Sequence, residues 1–334
     1  MRTRVMLSLL LPVLLSSLGS FGLTQENDVK IDWSFFNCHI QLYEPCPSSK
    51  ILFYLFTNKS DLPYRLDSSD PRLPTAVNSS LPLKVIIHGY AGRVLTDPTS
   101  QIRTEYQRTG GVNVLVVDWG RLAKLPCYPT AVLNTAQVGQ CTAEFLAALV
   151  RRPGARPKYV HIIGFSLGAH IASFVSNYVH MATGRKIYRI TGLDPALPLF
   201  ANLKTSYKLD KKDARHVDII HTNIGVFGKR EPIGHVDFYV NEGSMQPSCH
   251  NHRNPSLCSH MLAPTYFAES ISSPKGFWGT SCPSYLQYAW GWCPLQESGQ
   301  PQARQRIQMG EHILKGARGV YIVKTALNPP YALG

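Results

Sequence analysis

A serine hydroxyl becomes a competent nucleophile only when a base can take its proton and an acid orients that base. The segment Gly164-Phe165-Ser166-Leu167-Gly168 has the G-x-S-x-G spacing in which such a serine occurs. Lys158 to Ile163, rich in β-branched and aromatic residues, precedes it and reads as a strand. Ala169 to Val175 follows, with apolar residues three and four apart, and reads as a helix. Strand, sharp turn and helix form the context of a nucleophile elbow. Side chains at 164 and 168 would collide there with the neighbouring strand or helix, which explains both glycines. Amides at the start of the helix then face the place where an oxyanion would form.

In a chain of this type the acid follows the serine and the histidine comes last. Asp194, just past the next strand and followed by Pro195, fits the acid. Its rivals are weaker. Asp210 and Asp213 lie in a charged loop expected to be solvated, and Asp218 and Asp237 sit inside apolar strands, where internal hydrogen bonds account for them. The histidine candidates after Asp194 are His216, His221, His235, His250, His252, His260 and His312. His260 directly follows Ser259 and Cys258 and precedes an apparent helix from Pro264 to Ser270, so a disulfide beside it could hold it still. The oxyanion needs two amides: one from the residue after the nucleophile, Leu167, and one from the loop after an early strand. His88-Gly89-Tyr90 is that loop, with Tyr90 the donor.

The elements that position these groups are short apolar strands alternating with helices. Strands are expected at Ile51–Phe56, Leu83–Ile87, Val112–Val117, Ile187–Thr191, His216–His221 and His235–Val240. Helices are expected at Thr99–Arg108 and Tyr128–Val150, the latter with Val132, Ala136, Gly139 and Ala143 on its apolar side, while Asn58–Ser80 is rich in turn formers. The alternation argues an α/β fold, a mostly parallel central sheet flanked by helices. No internal repeat or linker divides residues 25–334, which read as one domain.

Residues 1–24 read as a secretory signal peptide: Arg2 and Arg4, an apolar run from Val5 to Leu15, then small residues. The run is too short to span a bilayer. The formal net charge is +13, and the chain stays strongly basic once Arg2 and Arg4 are removed. Anionic lipid or a heparan-type glycan are the partners such charge would serve. The basic residues are scattered and carry no nucleic-acid motif. Eight cysteines, an even count in a secreted chain, imply four disulfides. They fall in four groups of two along the chain, and none has the C-x-x-C spacing of a zinc site. Cys249–Cys258 and Cys282–Cys293 are expected pairs, while the pairing of Cys38, Cys46, Cys127 and Cys141 stays open. Asn58 and Asn78 head glycosylation sequons.

Together these stretches resemble the pancreatic-lipase family of secreted lipases and phospholipases A1, within the α/β-hydrolase superfamily. The likeness rests on the His88-Gly89-Tyr90 loop, Val117-Asp118-Trp119, Gly164 to His170, Gly192-Leu193-Asp194-Pro195-Ala196, Asp218 to Thr222, Gly234 to Tyr239 and Cys258-Ser259-His260. It implies a triad of Ser166, Asp194 and His260, with Tyr90 and Leu167 as amide donors. It also implies that Cys249 and Cys258 bridge the base of a lid. Three departures bear on substrate. There is no room for the C-terminal β-sandwich of the larger members, so no colipase-type partner is expected. The lid, His250 to Leu257, is short, polar and basic. The loop from Asn223 to Ile233 is short as well. Short lid and short loop resemble the phospholipase A1 branch, including invertebrate members, as does the Cys127–Cys141 region. The expected activity is hydrolysis of the sn-1 ester of a glycerophospholipid. A triglyceride or galactolipid lipase is the rival, and an inactive yolk-type lipid-binding protein a second alternative. No cofactor is required, although Asp210 and Asp213 match part of a structural calcium site found in some members; Thr205 replaces a further acidic residue there.

Overall fold

A computed structural model describes residues 38–57, 60–74, 77–150, 159–293 and 305–334. The leader and Asn58 lie outside the described residues. Among the described residues eleven strands form one sheet. Its centre is parallel: β4 (Asn113–Asp118), β3 (Leu83–Ile87), β5 (Val160–Phe165), β6 (Arg189–Leu193), β7 (His216–His221), β8 (Val236–Val240) and β11 (Gly319–Val323). Antiparallel strands close both sides, β1 (Leu52–Thr57) and β2 (Ser60–Leu66) beyond β4, and β9 (Phe277–Cys282) and β10 (Arg306–Met309) beyond β11. This is the α/β-hydrolase architecture expected of the sequence.

Strand side chains alternate between the two faces. Val85 and Ile87 pack into one apolar core with α2 (Tyr128–Val150) and α3 (Leu167–Thr183). Ile86 points the other way, into a second core with α1 (Thr99–Thr109) and α4 (Pro255–Ser272). Parallel strands covered on both faces read as continuous apolar runs, which is why all of them but β11 were legible. The anticipated apolar positions of α2 are buried, and Gly139 lets it approach α3: a Cβ there would lie 2.3 Å from Phe174.

Three expectations need correction. The turn-rich stretch after Asn58 contains β2, and β9, β10 and β11 were not anticipated. β2 carries Asp61, Pro63 and Arg65, and β10 is only four residues long. Side strands with such composition lack a periodic apolar signal. The helix expected from Pro264 instead begins at Pro255, capped by the Asn254 side chain accepting from the Leu257 amide, so His260 lies within α4 rather than ahead of it. The two open disulfides join distant groups, Cys38–Cys127 and Cys46–Cys141, and so tie the N-terminal segment to α2 and the loop before it. Cys249–Cys258 and Cys282–Cys293 pair as expected.

Candidate active site

The strand order reverses between β3 and β5, so the crevice beyond their carboxyl ends is where an open α/β sheet places a ligand. Ser166 stands there, directly after β5, with φ 55° and ψ −117°. This is a costly conformation for a residue with a Cβ, and it persists because its surroundings fix it. The Ser166 amide donates to Leu193 O at 3.0 Å, and its carbonyl accepts from the Ala196 amide. A Cβ on Gly164 would come within 2.3 Å of the Gly168 carbonyl oxygen, and one on Gly168 within 2.2 Å of Ile87 O. Both glycines are therefore required by close approach. Ser166 occupies the N-cap position of α3 but makes no side-chain cap, leaving its hydroxyl for other use.

Asp194 follows β6, also with positive φ (41°), and is fully buried. Its Oδ2 lies 2.6 Å from His260 Nδ1. Its Oδ1 accepts from the amides of Thr222 (2.8 Å) and Asn223 (3.1 Å) just beyond β7. A carboxylate held by two amides and an imidazole has one orientation. Since a carboxylate only accepts, Nδ1 carries the imidazole proton, leaving Nε2 free to act as a base. His260 packs between the Phe165 ring (4.7 Å between centroids) and the Phe227 ring (5.5 Å). Gly164 and its neighbours thus deliver the serine, β6 the acid and α4 the histidine to one edge.

The loop after β3 is braced by His88. Its Nδ1 pairs with Gly89 O at 2.8 Å, and its Nε2 accepts from the Trp119 amide at 3.1 Å. The Trp119 indole donates in turn to His88 O. A Cβ on Gly89 would lie 2.9 Å from Ser166 Cβ, so this loop, with Tyr90 next in line, borders the serine directly. Leu167, at the first turn of α3, borders it from the other side.

Several positioning residues escaped sequence reasoning. Thr222 and Asn223 act through backbone amides, which no side-chain pattern reveals. Gly228 presses the 223–228 turn onto the acid: a Cβ there would sit 2.3 Å from Asp194 Oδ1. Gln246 is a fully buried hub. Its side-chain amide donates to Thr222 O and Val240 O, its carbonyl oxygen accepts from Tyr266 and Asn241, and its backbone amide donates to Ser259 Oγ, next to His260. A lone glutamine between strand and helix carries no signal of such a role.

The rival groups take structural parts. Asp218 forms a bidentate pair with Arg189, and Asp237 Oδ1 lies 2.9 Å from His221 Nε2. His216 and His235 stack on each other away from the serine, at the start of β7 and just ahead of β8. His250 and His252 are exposed in the loop between Cys249 and Cys258, and His312 Nε2 lies 3.0 Å from Ile271 O. Asp213 is buried rather than solvated. Its carboxylate accepts from the Asp210 amide and the Asn177 side chain, both at 2.8 Å, and burial pushes its pKa up to about 6. Both its oxygens are thus already committed to protein donors. Among the described residues no group of three or more His, Cys, Asp or Glu side chains converges as a metal site.

The 3-10 turn Pro247–Cys249 ends at the first cysteine; the chain then turns and bends through residues 250–254 and enters α4. Residues 250–254 are exposed and polar. No separate lid helix forms there.

The lipase family profile matches residues 22–327. Similar curated proteins include pancreatic lipase-related protein 2 of Mus musculus, 34% identical over 75% of this chain and 56% of its own length. Pancreatic triacylglycerol lipase of Sus scrofa is likewise 34% identical over 75% of this chain and 60% of its own. Hepatic triacylglycerol lipase of Bos taurus is 41% identical over 59% of this chain and 41% of its own. The chain thus spans less than two thirds of the length of these relatives. Nucleophile elbow, buried acid and helix-borne histidine sit on a sheet that the profile covers almost from end to end, and the chain belongs to the lipase family, the pancreatic-lipase group of the α/β hydrolases.

Proposed function

We propose that this protein is an extracellular serine esterase that cleaves the sn-1 acyl ester of glycerophospholipids. The observation that carries the esterase reading is the Ser166–Asp194–His260 constellation at the carboxyl edge of the sheet, with the Ser166 hydroxyl free of capping. Ser166 Oγ attacks the acyl carbonyl while His260 Nε2 takes its proton, and Asp194 stabilises the imidazolium. The amides of Leu167 and Tyr90 receive the oxyanion, each worth about 3–4 kcal/mol in the transition state. His260 then protonates the departing alcohol. Water, deprotonated by the same imidazole, hydrolyses the acyl-enzyme. No metal or cofactor is called for in this sequence of steps.

Lipid rather than a soluble ester is supported by the rim. Leu95, Leu125 and Val226, in loops leaving the carboxyl ends of β3, β4 and β7, are all more than 50% exposed. Phospholipid is supported by the short polar segment between Cys249 and Cys258, which has no apolar face to lay on an oil droplet. Four disulfides support an oxidising, extracellular setting. Asn78 stands exposed, as a glycosylated residue must. A triacylglycerol lipase is the second reading, favoured by the names of the pancreatic and hepatic relatives. An inactive lipid carrier is disfavoured by the intact triad.

Product analysis by mass spectrometry separates these. The enzyme and Ser166→Ala are incubated with a mixed-chain phosphatidylcholine and with a triglyceride emulsion. Release of the sn-1 chain by the wild type alone, with little turnover of triglyceride, is expected. Dominant triglyceride turnover would replace the phospholipase reading with a lipase, and equal silence of both proteins would replace it with a carrier.

A further inference from the structure

The opposite edge of the sheet holds a cavity of about 370 Å³. Residues at the starts of strands line it: Lys84 second in β3, Arg189 first in β6, His216 first in β7, Arg215 ahead of β7, and Arg318 ahead of β11. Strands of five or six residues separate it from Ser166 by roughly 20 Å. It is therefore no part of the ester-cleaving site.

Its floor is neutralised. Buried Lys84 pairs with Glu311, and buried Arg189 grips Asp218 at 2.7 and 2.9 Å. The rim is not. Arg215, Lys315 and Arg318 are exposed, line the same cavity, and form no ion pair among the described residues. Three cations facing one concavity repel one another, and an ion pair with a neighbouring carboxylate would have relieved this at little cost. Between floor and rim, His216 Nε2 is a buried atom with no hydrogen-bond partner, 3.9 Å from Asp218 Oδ1. Buried polar atoms rarely stay unpaired, so the orphan nitrogen marks a place for a ligand atom. Positive charge continues outward from the rim: besides burial, Arg318, Lys211 and Lys186 act to lower the pKa of His235, which stacks on His216.

We propose that this cavity binds a tetrahedral oxyanion, a phosphate or sulfate group, through Arg215, Lys315, Arg318 and His216. Guanidinium groups meet two oxygens of such an anion at once, and the ammonium and imidazole fill the remaining directions. The group can arrive as the free ion or on a small sugar, and the two sources differ in what the outer cations add. A sugar extends past the rim into the field of the outer cations, whereas inorganic phosphate does not.

The test is titration calorimetry of the full-length secreted protein at fixed ionic strength, with inorganic phosphate and with a sulfated disaccharide as probes. The triple variant Arg215→Glu, Lys315→Glu, Arg318→Glu is compared with a control of equal charge change, Lys50→Glu, Arg121→Glu, Lys124→Glu. Hydrolysis of a short soluble ester, unchanged in the rim variant, shows that it is folded. Saturable binding that the rim variant weakens about tenfold or more, and the control far less, is the expected result. His216→Phe should weaken it severalfold as well. Tighter binding of the disaccharide identifies a sugar-borne group, and equal binding identifies the free ion. Absence of saturable binding for both probes, or equal weakening in both triple variants, would overturn the proposal.

Discussion

The two edges of the sheet solve opposite problems. At the carboxyl edge Ala91, Ser166, Asp194, Asn241 and Glu242 all hold positive φ without being glycine. At the amino edge the positive-φ positions, Gly310, Gly316 and Gly319 among them, are glycines, which bear them at little strain, and the burden falls on charge. Lys84 Nζ donates to His161 Nδ1, His161 Nε2 meets Thr191 Oγ1, and Thr191 donates to Asp218, which Arg189 also clamps. Arg189 further donates to the carbonyls of Gly310 and Glu311, locking the segment after β10 under the sheet. Burial alone would raise the Glu311 pKa, but Lys84 and Arg189 outweigh it and hold the carboxyl below its ordinary range. Strain is thus concentrated where reaction is proposed, and satisfied charge where the sheet must be held together. Substitutions at one edge should change rate with little loss of stability, and at the other the reverse.

The largest effect separating them is expected from Ser166→Ala. It should lower kcat on an ester by about 10⁴-fold or more. Its melting temperature should stay close to the wild type, because the strained elbow loses only a hydroxyl that caps nothing. A large loss of stability in this variant would dissolve the contrast. Conversely, Arg189→Met leaves Asp218 buried without its partner and should cost about 3–5 kcal/mol in denaturant unfolding. Whatever remains folded should keep its kcat; a selective loss of rate would show that the amino edge is coupled to the chemistry. Gln246→Ala probes the boundary, since the hub touches both the β-strand ends and Ser259. A stability loss of about 2–3 kcal/mol is expected from its orphaned partners, together with a fall in kcat larger than any change in KM.

The most gradual effect is a dependence on pH. His170 is fully buried, donating to Ala196 O at 2.8 Å and accepting from the Leu209 amide at 3.1 Å. Burial pushes its pKa down to about 3. The unfolded chain takes up this proton below about pH 6.5. Stability is therefore complete above that pH and declines as pH falls toward 3. The slope from this one group approaches ~1.4 kcal/mol per pH unit. Burial also holds His161 well below its usual pKa, and it adds in the same direction. Unfolding measured between pH 7 and 4.5 should show the decline, and His170→Asn should flatten it.

Legibility followed the same division. The parallel strands other than β11, and the elbow, could be read because apolar runs, turn glycines and a serine at fixed spacing leave marks along the chain. Asp194 was readable from its place after a strand. Among seven histidines His260 was favoured by the cysteine and helix beside it and fixed only by the family likeness, because its partnership with Asp194 spans sixty-six residues and local pattern cannot encode that. The amide clamp on Asp194, the Gln246 hub and the amino-edge network were invisible for the same reason. Each joins residues from several strands by backbone groups or single polar side chains. Asp218 was read as internally bonded, but nothing marked Arg189 as its partner.

The central claim is that Ser166 is activated by His260 and Asp194 at the carboxyl edge. A fluorophosphonate, which loses fluoride when a serine oxygen attacks phosphorus, tests it most directly. Intact-mass analysis followed by peptide mapping should find one adduct per chain, on Ser166, formed far more slowly in His260→Ala and Asp194→Asn. An adduct on another residue, or labelling of Ser166 at an equal rate when His260 is replaced, would contradict the account.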